Sequence, residues 1–91
     1  MIDLKSMIQN ESVFDVIAFL SGRNEGINYI HLDRFYGQHR FDAIAEGELL
    51  LTFQKMCREK IVQGNGRPMT VGKGPHWVEP KFMTEKKYGI E

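Results

Sequence analysis

Apolar residues recur at the spacing of one helical face between positions 12 and 22. This face consists of four side chains, Val13, Val16, Ile17 and Leu20. Asn10 or Ser12 can cap the start of the helix, and Gly22 marks its end. The two glycines and the asparagine that follow indicate a loop over residues 22–26.

The strongest pattern in the chain begins after Glu46. An apolar stripe recurs at i, i+3, i+7 and i+11, formed by Leu50, Phe53, Cys57 and Ile61 and widened by Leu49 and Met56. Acidic residues stand at the start of this stretch and basic residues toward its end, which matches the helix dipole. We therefore predict a helix that buries this stripe, with Cys57 acting as a small buried hydrophobic residue.

The stretch between the two helices is less regular. Residues 27–30 alternate weakly and contain β-branched and aromatic residues, which predicts a short strand. Leu32, Phe35 and Tyr36 follow at helical spacing and indicate a short second helix that ends at Gly37. The pattern leaves helix and loop both open for residues 38–45, where Phe41 and Ile44 are the expected buried anchors.

Two short β-prone runs follow the long helix, at residues 61–63 and 68–71. Gly64, Asn65 and Gly66 join them, and these residue types tolerate the positive φ of tight hairpin turns, so we predict a β-hairpin. Residues 76–78 could add a strand edge. With 91 residues, one domain is expected, with an N-terminal extension over residues 1–10 and a C-terminal tail over residues 79–91 that packs its aromatic residues on the body.

This order of elements, with the helix over residues 48–61 followed by the Gly64-Asn65-Gly66 hairpin, resembles a winged helix. The resemblance covers roughly residues 12–78 and implies a small α+β domain with about three helices and a short C-terminal hairpin. In that superfamily the third helix reads the DNA major groove and the hairpin touches the backbone or minor groove, so a DNA-binding regulator of phage or plasmid type is one expectation.

The charge of the chain is balanced but polarised. Twelve Lys and Arg offset twelve Asp and Glu, which excludes a bulk polycation for nucleic acid. Residues 1–48 carry four basic and eight acidic residues, whereas residues 49–91 carry eight basic and four acidic ones. Such polarity predicts a charged partner.

Neither composition nor motifs indicate an enzyme or a cofactor. No serine stands in a nucleophile context, and a single cysteine excludes an intramolecular disulfide. His31, Asp33, His39 and Asp42 lack the spacing of a metal motif, so no metal is expected. Residues 1–9 lack the pattern of a signal peptide, and no apolar run could span a bilayer, so a cytoplasmic protein is expected.

Two candidate surfaces remain. The first is acidic and is formed by Asp33, Tyr36, Asp42 and Glu46. The second is basic and suits nucleic acid or another partner; it is formed by Thr52, Lys55, Arg58, Arg67, Lys73 and Trp77.

In size and general character the chain resembles bacterial immunity proteins. This resemblance implies that the acidic surface docks on a toxin, such as a nuclease, and neutralises it. The DNA-binding regulator and, more distantly, an accessory subunit are the alternatives, and both a monomer and a homodimer stay open.

Overall fold

The computed structural model describes residues 2–23 and 26–90, so residues 24 and 25 of the predicted loop lie outside the described residues. It is an α+β fold. Within these ranges the chain forms α1 (Leu4–Asn10), α2 (Val13–Ser21), β1 (Ile27–Asn28), α3 (Tyr29–His39), α4 (Phe41–Ala45), α5 (Glu48–Arg58), β2 (Val62–Gly64), β3 (Thr70–Lys73) and α6 (Lys81–Thr84). Six helices thus replace the predicted three, because the short segments α1, α4 and α6 are helical as well.

The described strands form one antiparallel sheet in the order β1-β3-β2. Gly64 pairs with Val71 across the hairpin, and Ile27 pairs with Val71 on the other side of β3. The hairpin prediction is confirmed, whereas residues 76–78 are not a strand. Strand β1 ends earlier than predicted because the Asn28 side chain accepts a hydrogen bond from the Ile30 N–H at 2.7 Å, which caps α3 and starts the helix at Tyr29.

The core lies between α2, the inner sides of α3 and α5, and the sheet. Helix α2 begins where predicted, because the Ser12 side chain accepts a hydrogen bond from the Asp15 N–H at 3.2 Å. The six consecutive residues from Val16 to Ser21 are all buried, so α2 is covered on nearly every side.

The predicted buried stripe of α5 is confirmed only in part, since Ile61 and the two widening residues are buried but two other members are not. The helix buries Leu49 and Met56, with Phe53 half-buried between them, whereas Leu50 and Cys57 are exposed. Leu49, Phe53 and Met56 also follow one helical face, and this face packs against α2. Periodicity alone cannot choose between two faces that differ by one residue in register.

Residues 38–45, left open by the pattern, complete α3 and form α4. Helix α3 passes through Gly37 and ends at His39, and α4 follows after a single residue. Gly37 faces α4, because a β-carbon there would lie 3.7 Å from the Ile44 side chain, an ordinary van der Waals distance. Ala43 is the buried residue of α4, and Phe41, a predicted anchor, is 64% exposed.

Both terminal segments pack on α2. Met7 and Ile8 of α1 are fully buried, and Phe82 of α6 packs against the Phe19 ring with a centroid distance of 5.7 Å. The Asp3 N–H donates to the Tyr88 carbonyl at 2.9 Å, which joins the two ends of the chain. Across the described ranges, the longest helices fall well short of the length and apolar content that a bilayer span needs.

Candidate functional site

Arg40 fixes the corner between α3 and α5, and with it the position of α4. Its guanidinium donates to the Glu11 carbonyl at 2.9 Å and to the Ile8 carbonyl at 3.3 Å. It also lies 3.7 Å from the Glu48 carboxylate at the start of α5. One half-buried side chain therefore ties the end of α1 to the helices on either side of α4.

We call the residues Asp33, Phe41, Asp42 and Glu46 the acidic surface. All four are exposed. Asp33 lies one helical turn before Gly37, the residue against which Ile44 of α4 packs, so Asp33 faces the side of α3 that carries α4. The surface thus combines three carboxylates with one large exposed aromatic ring.

Tyr36 does not belong to this surface, which corrects the sequence-based assignment. Its side chain is 0% exposed, and its hydroxyl forms no hydrogen bond with any described residue. Burial raises the pKa of Tyr36 strongly; the nearby Arg40 opposes this shift and Glu48 adds to it. Because its ring lies in the core, Tyr36 supports the α3–α5 corner and cannot contact a partner.

Tyr29 and Phe53 join α3 to α5 below the acidic surface. Their rings meet edge to face at a centroid distance of 5.0 Å, an arrangement that stabilises aromatic pairs. Burial raises the pKa of Tyr29, and the Asp33 carboxylate adds to that shift. The aromatic pair therefore fixes the helix on which Asp33 lies.

We call Glu48, Leu51, Lys55 and Arg58 the outer face of α5. They are exposed, and Leu51 is 65% exposed on the side opposite the core. Sequence reasoning assigned Lys55 and Arg58 to a partner surface but missed Leu51 and Leu50, which is 46% exposed. The run Leu49-Leu50-Leu51 could have indicated an exposed leucine, because three consecutive residues spread over 200° of a helix and cannot all be buried on one side.

The other members of the predicted basic surface have different environments. Arg67 is exposed at the hairpin, whereas Thr52 is half-buried beside the inner side of α5. Lys73 places its ammonium 4.2 Å from the Trp77 ring centroid. Trp77 is half-buried and donates its indole N–H to the Ala18 carbonyl at 2.9 Å, so its first role is to hold residues 75–78 on α2.

The hairpin is tied to the start of α3. The Asn28 amide donates to the Pro68 carbonyl at 3.3 Å and to the Thr70 hydroxyl at 3.2 Å, and the Tyr29 N–H donates to the Met69 carbonyl at 2.9 Å. An open cavity of about 500 Å³ lies here, lined by Asn28, His31, Arg67, Pro68 and Thr70 among others. Its ionisable side chains, Arg67 and His31, are exposed rather than buried in a built site.

The described ranges contain no cluster of side chains that would form a metal site or activate the thiol of the cysteine. No three His, Cys, Asp or Glu side chains there are placed to hold a metal ion, and His31, Asp33 and Asp42 are exposed while His39 is half-buried. Cys57 is exposed, contrary to prediction, although partial burial raises the pKa of its thiol. A raised pKa disfavours the reactive thiolate.

Comparison with known proteins identifies no matching family model, no similar curated protein and no similar solved structure.

Proposed function

We propose that this protein is a small protein-binding module whose acidic surface docks on a basic surface of another protein. In its most specific form, the module is an immunity protein that binds and neutralises a bacterial toxin. It carries out no catalysis and takes no cofactor.

The exposure of Phe41 is the observation that carries the proposal. A helix of five residues, α4, buries Ala43 and presents a phenylalanine to solvent directly before Asp42. Isolated exposed hydrophobic residues are common, but a large ring among carboxylates has the composition of an interface anchor with a charged rim. Phe41 is mostly exposed, so it contributes little to the stability of the core, and stability does not explain why an aromatic residue stands at this position.

The carboxylates and the ring would act on different steps of binding. Asp33, Asp42 and Glu46 attract a positively charged partner over a distance and speed the encounter. Phe41 then enters an apolar pocket of the partner and slows dissociation. Arg40 and the Tyr29–Phe53 pair hold both helices in place beforehand, which lowers the entropic cost of binding.

A nuclease toxin is the partner that this chemistry fits best. A nuclease binds phosphates with a basic cleft, and an acidic surface that occupies the cleft competes with the nucleic acid. Neutralisation then needs no chemistry on either protein.

The test is site-specific photo-crosslinking in cells of the organism that makes the protein. A photoreactive residue replaces Phe41 in one protein and Gln63 of β2 in a matched control; both positions are exposed but lie on different elements. We expect a protein adduct from position 41 that is absent from position 63.

The double variant Asp33→Lys with Asp42→Lys provides the charge control. It should remove the adduct while the melting temperature stays close to that of the unmodified protein, because both carboxylates are exposed. Adducts of equal yield from both positions, or an adduct that survives the reversal, would contradict the proposal.

A second candidate function is DNA binding by a winged helix. The observation that favours it is connectivity: apart from the short helix α4 between α3 and α5, the order α2, β1, α3, α5, β2 and β3 is that of the fold, and the sheet order is β1-β3-β2. In this interpretation α5 enters the major groove, with Lys55 and Arg58 on it and Arg67 on the hairpin toward phosphates.

The outer face of α5 fits DNA less well than the acidic surface fits a protein. It begins with Glu48 and Leu51, and α5 offers few of the amide and guanidinium groups that read base edges, with Gln54 and Arg58 the best candidates. Retention on random duplex DNA decides between the two functions. Protein binding predicts flow-through at about 50 mM salt; retention that collapses by about 200 mM, and that Lys55→Glu with Arg67→Glu abolishes, would establish the regulator instead.

A further inference from the structure

The outer face of α5 is complementary to itself. Glu48, Leu51, Lys55 and Arg58 are spaced at i, i+3, i+7 and i+10, the spacing of the seam along which two helices pack. The four positions are also symmetric about position 53, since 48 and 58 are equally far from it, as are 51 and 55. Both properties are independent of the acidic surface.

An antiparallel pairing of two α5 helices brings unlike residues together. A two-fold axis level with position 53 sets Glu48 of one copy opposite Arg58 of the other, twice. It also sets Leu51 opposite Lys55, whose aliphatic stem can cover the leucine while the ammonium stays in water. The helix dipoles then run in opposite directions, which is the favourable arrangement for neighbouring helices.

We propose that the outer face of α5 binds the same face of a second copy of this chain and forms a two-fold symmetric, antiparallel dimer. An isologous contact of this kind is the commonest basis of homo-oligomers, because one patch serves both partners. The contact is small: α5 has 11 residues and is about 16 Å long, so the dimer is weak and depends on concentration.

The side chains are available for this contact. Leu51 is the most exposed of the large hydrophobic residues on α5. Within residues 2–23 and 26–90, neither Lys55 nor Arg58 forms an ion pair. Glu48 lies 3.7 Å from Arg40 through one oxygen, Oε1, and its side chain is still 44% exposed.

Dimerisation through α5 goes beyond the proposed function and also bears on the alternative. The acidic surface belongs to α3 and α4, so the dimer would present two such surfaces. By contrast, a DNA-binding winged helix must place this same face of α5 in the major groove, and the dimer would block it. A dimer of this kind therefore favours the protein partner over DNA.

Charge exchange tests the proposal by sedimentation velocity over a concentration series. The unmodified chain should pass from a mass of 10.6 kDa toward twice that value as the concentration rises. Each single reversal, Glu48→Arg or Arg58→Glu, replaces two attractive pairs by two repulsive ones and should weaken the dimer about tenfold. The double variant, Glu48→Arg with Arg58→Glu, restores both pairs and should recover the dimer.

Two further variants keep the test decisive. Leu51→Lys removes the leucine and sets a new ammonium opposite that of Lys55 in the other copy, so it should abolish the dimer, whereas Lys81→Glu on α6 changes charge elsewhere and should leave it unchanged. Thermal melts establish that each variant is folded. A monomer at every concentration, or a double variant as weak as the single ones, would overturn the proposal and leave the acidic surface untouched.

Discussion

Tyr36 places a polar hydroxyl group in the apolar core of the protein. Its ring fills the core below the α3–α5 corner, but its hydroxyl is buried without a hydrogen bond to any described residue. An unpaired buried hydroxyl costs about 1–3 kcal/mol, whereas the aromatic ring stabilises the core. The ring and the hydroxyl of this residue therefore act in opposite directions.

We predict that Tyr36→Phe stabilises the fold by about 1 kcal/mol, because it removes the unpaired oxygen and keeps the ring. Urea unfolding followed by circular dichroism measures the change. Tyr88→Phe is the matched control: the Tyr88 hydroxyl donates to the Glu11 carboxylate, so its removal should destabilise the fold. Destabilisation by both variants would show that the Tyr36 hydroxyl contributes favourably.

Alkaline pH should weaken the fold through its tyrosines. Burial raises the pKa of Tyr29 and Tyr36 above the usual value near 10, and the hydrogen bond to Glu11 raises the pKa of Tyr88 to about 12. The unfolded chain loses these protons first, so the stabilisation that these tyrosines contribute is constant below about pH 9 and falls as the pH rises past 10.

Unfolding midpoints in urea at several pH values between about 8 and 11 test this pH dependence. Each fully protected tyrosine adds at most about 1.4 kcal/mol per pH unit to the slope. Tyr36→Phe should make the decline shallower. A decline of the same steepness in this variant would contradict the assignment of Tyr36.

Residue by residue, the sequence indicated the acidic surface only in part. The exposed positions Asp33, Asp42 and Glu46 follow from their charge, since carboxylates are seldom buried. Phe41 and Tyr36 were assigned to the wrong environments because both are aromatic and lie at plausible helical positions. The side that each faces depends on where α3 ends, and Arg40 sets that corner through contacts with the distant carbonyls of Ile8 and Glu11.

At the level of elements, Gly26 controls the approach of β1 to β3. Its φ is +72°, and a β-carbon would lie 2.2 Å from the Val71 carbonyl oxygen. We predict that Gly26→Ala destabilises the fold by about 3 kcal/mol or more, through left-handed strain together with the steric clash. Gly64→Ala on β2 is the control, because no atom lies within 4 Å of its β-carbon position, and it should be near neutral. Equal melting temperatures for the two variants would contradict this prediction.

Helices and strands were predictable from the sequence where one local pattern had no competing interpretation. Ser12 and the apolar spacing specified α2, and the glycines around Asn65 specified the hairpin. The buried face of α5 was not predictable, because Leu49 and Leu50 begin two equally apolar faces and only contact with α2 selects the first. The short helix α4 was left open between helix and loop for a related reason: five residues carry too little periodicity to separate the two.

At the scale of the whole molecule, the polarity of the sequence has a structural counterpart. Asp33, Asp42 and Glu46 of the acidic half lie on α3 and at α4, and four cations of the basic half lie on α5 and the hairpin, whereas other charges of both halves lie near the two ends of the chain. A docking surface made of exposed charges acts chiefly on the rate of association, which falls as salt screens the charges.

We therefore predict that two charge reversals differ in their effect on binding to the protein captured from position 41. Asp33→Lys with Asp42→Lys should slow association by about tenfold or more at low salt and change dissociation little. Lys55→Glu with Arg67→Glu should leave association unchanged, because these cations lie on other elements. Stopped-flow fluorescence or surface plasmon resonance gives both rates.

The association rate of that partner, measured across a salt series, shows whether the acidic surface steers docking. If the acidic surface steers docking, the rate for the unmodified protein falls steeply as the salt concentration rises, and the rate for Asp33→Lys with Asp42→Lys is low and nearly flat. A rate that is independent of salt, or one that falls equally for both proteins, would show that the acidic surface is not the docking site.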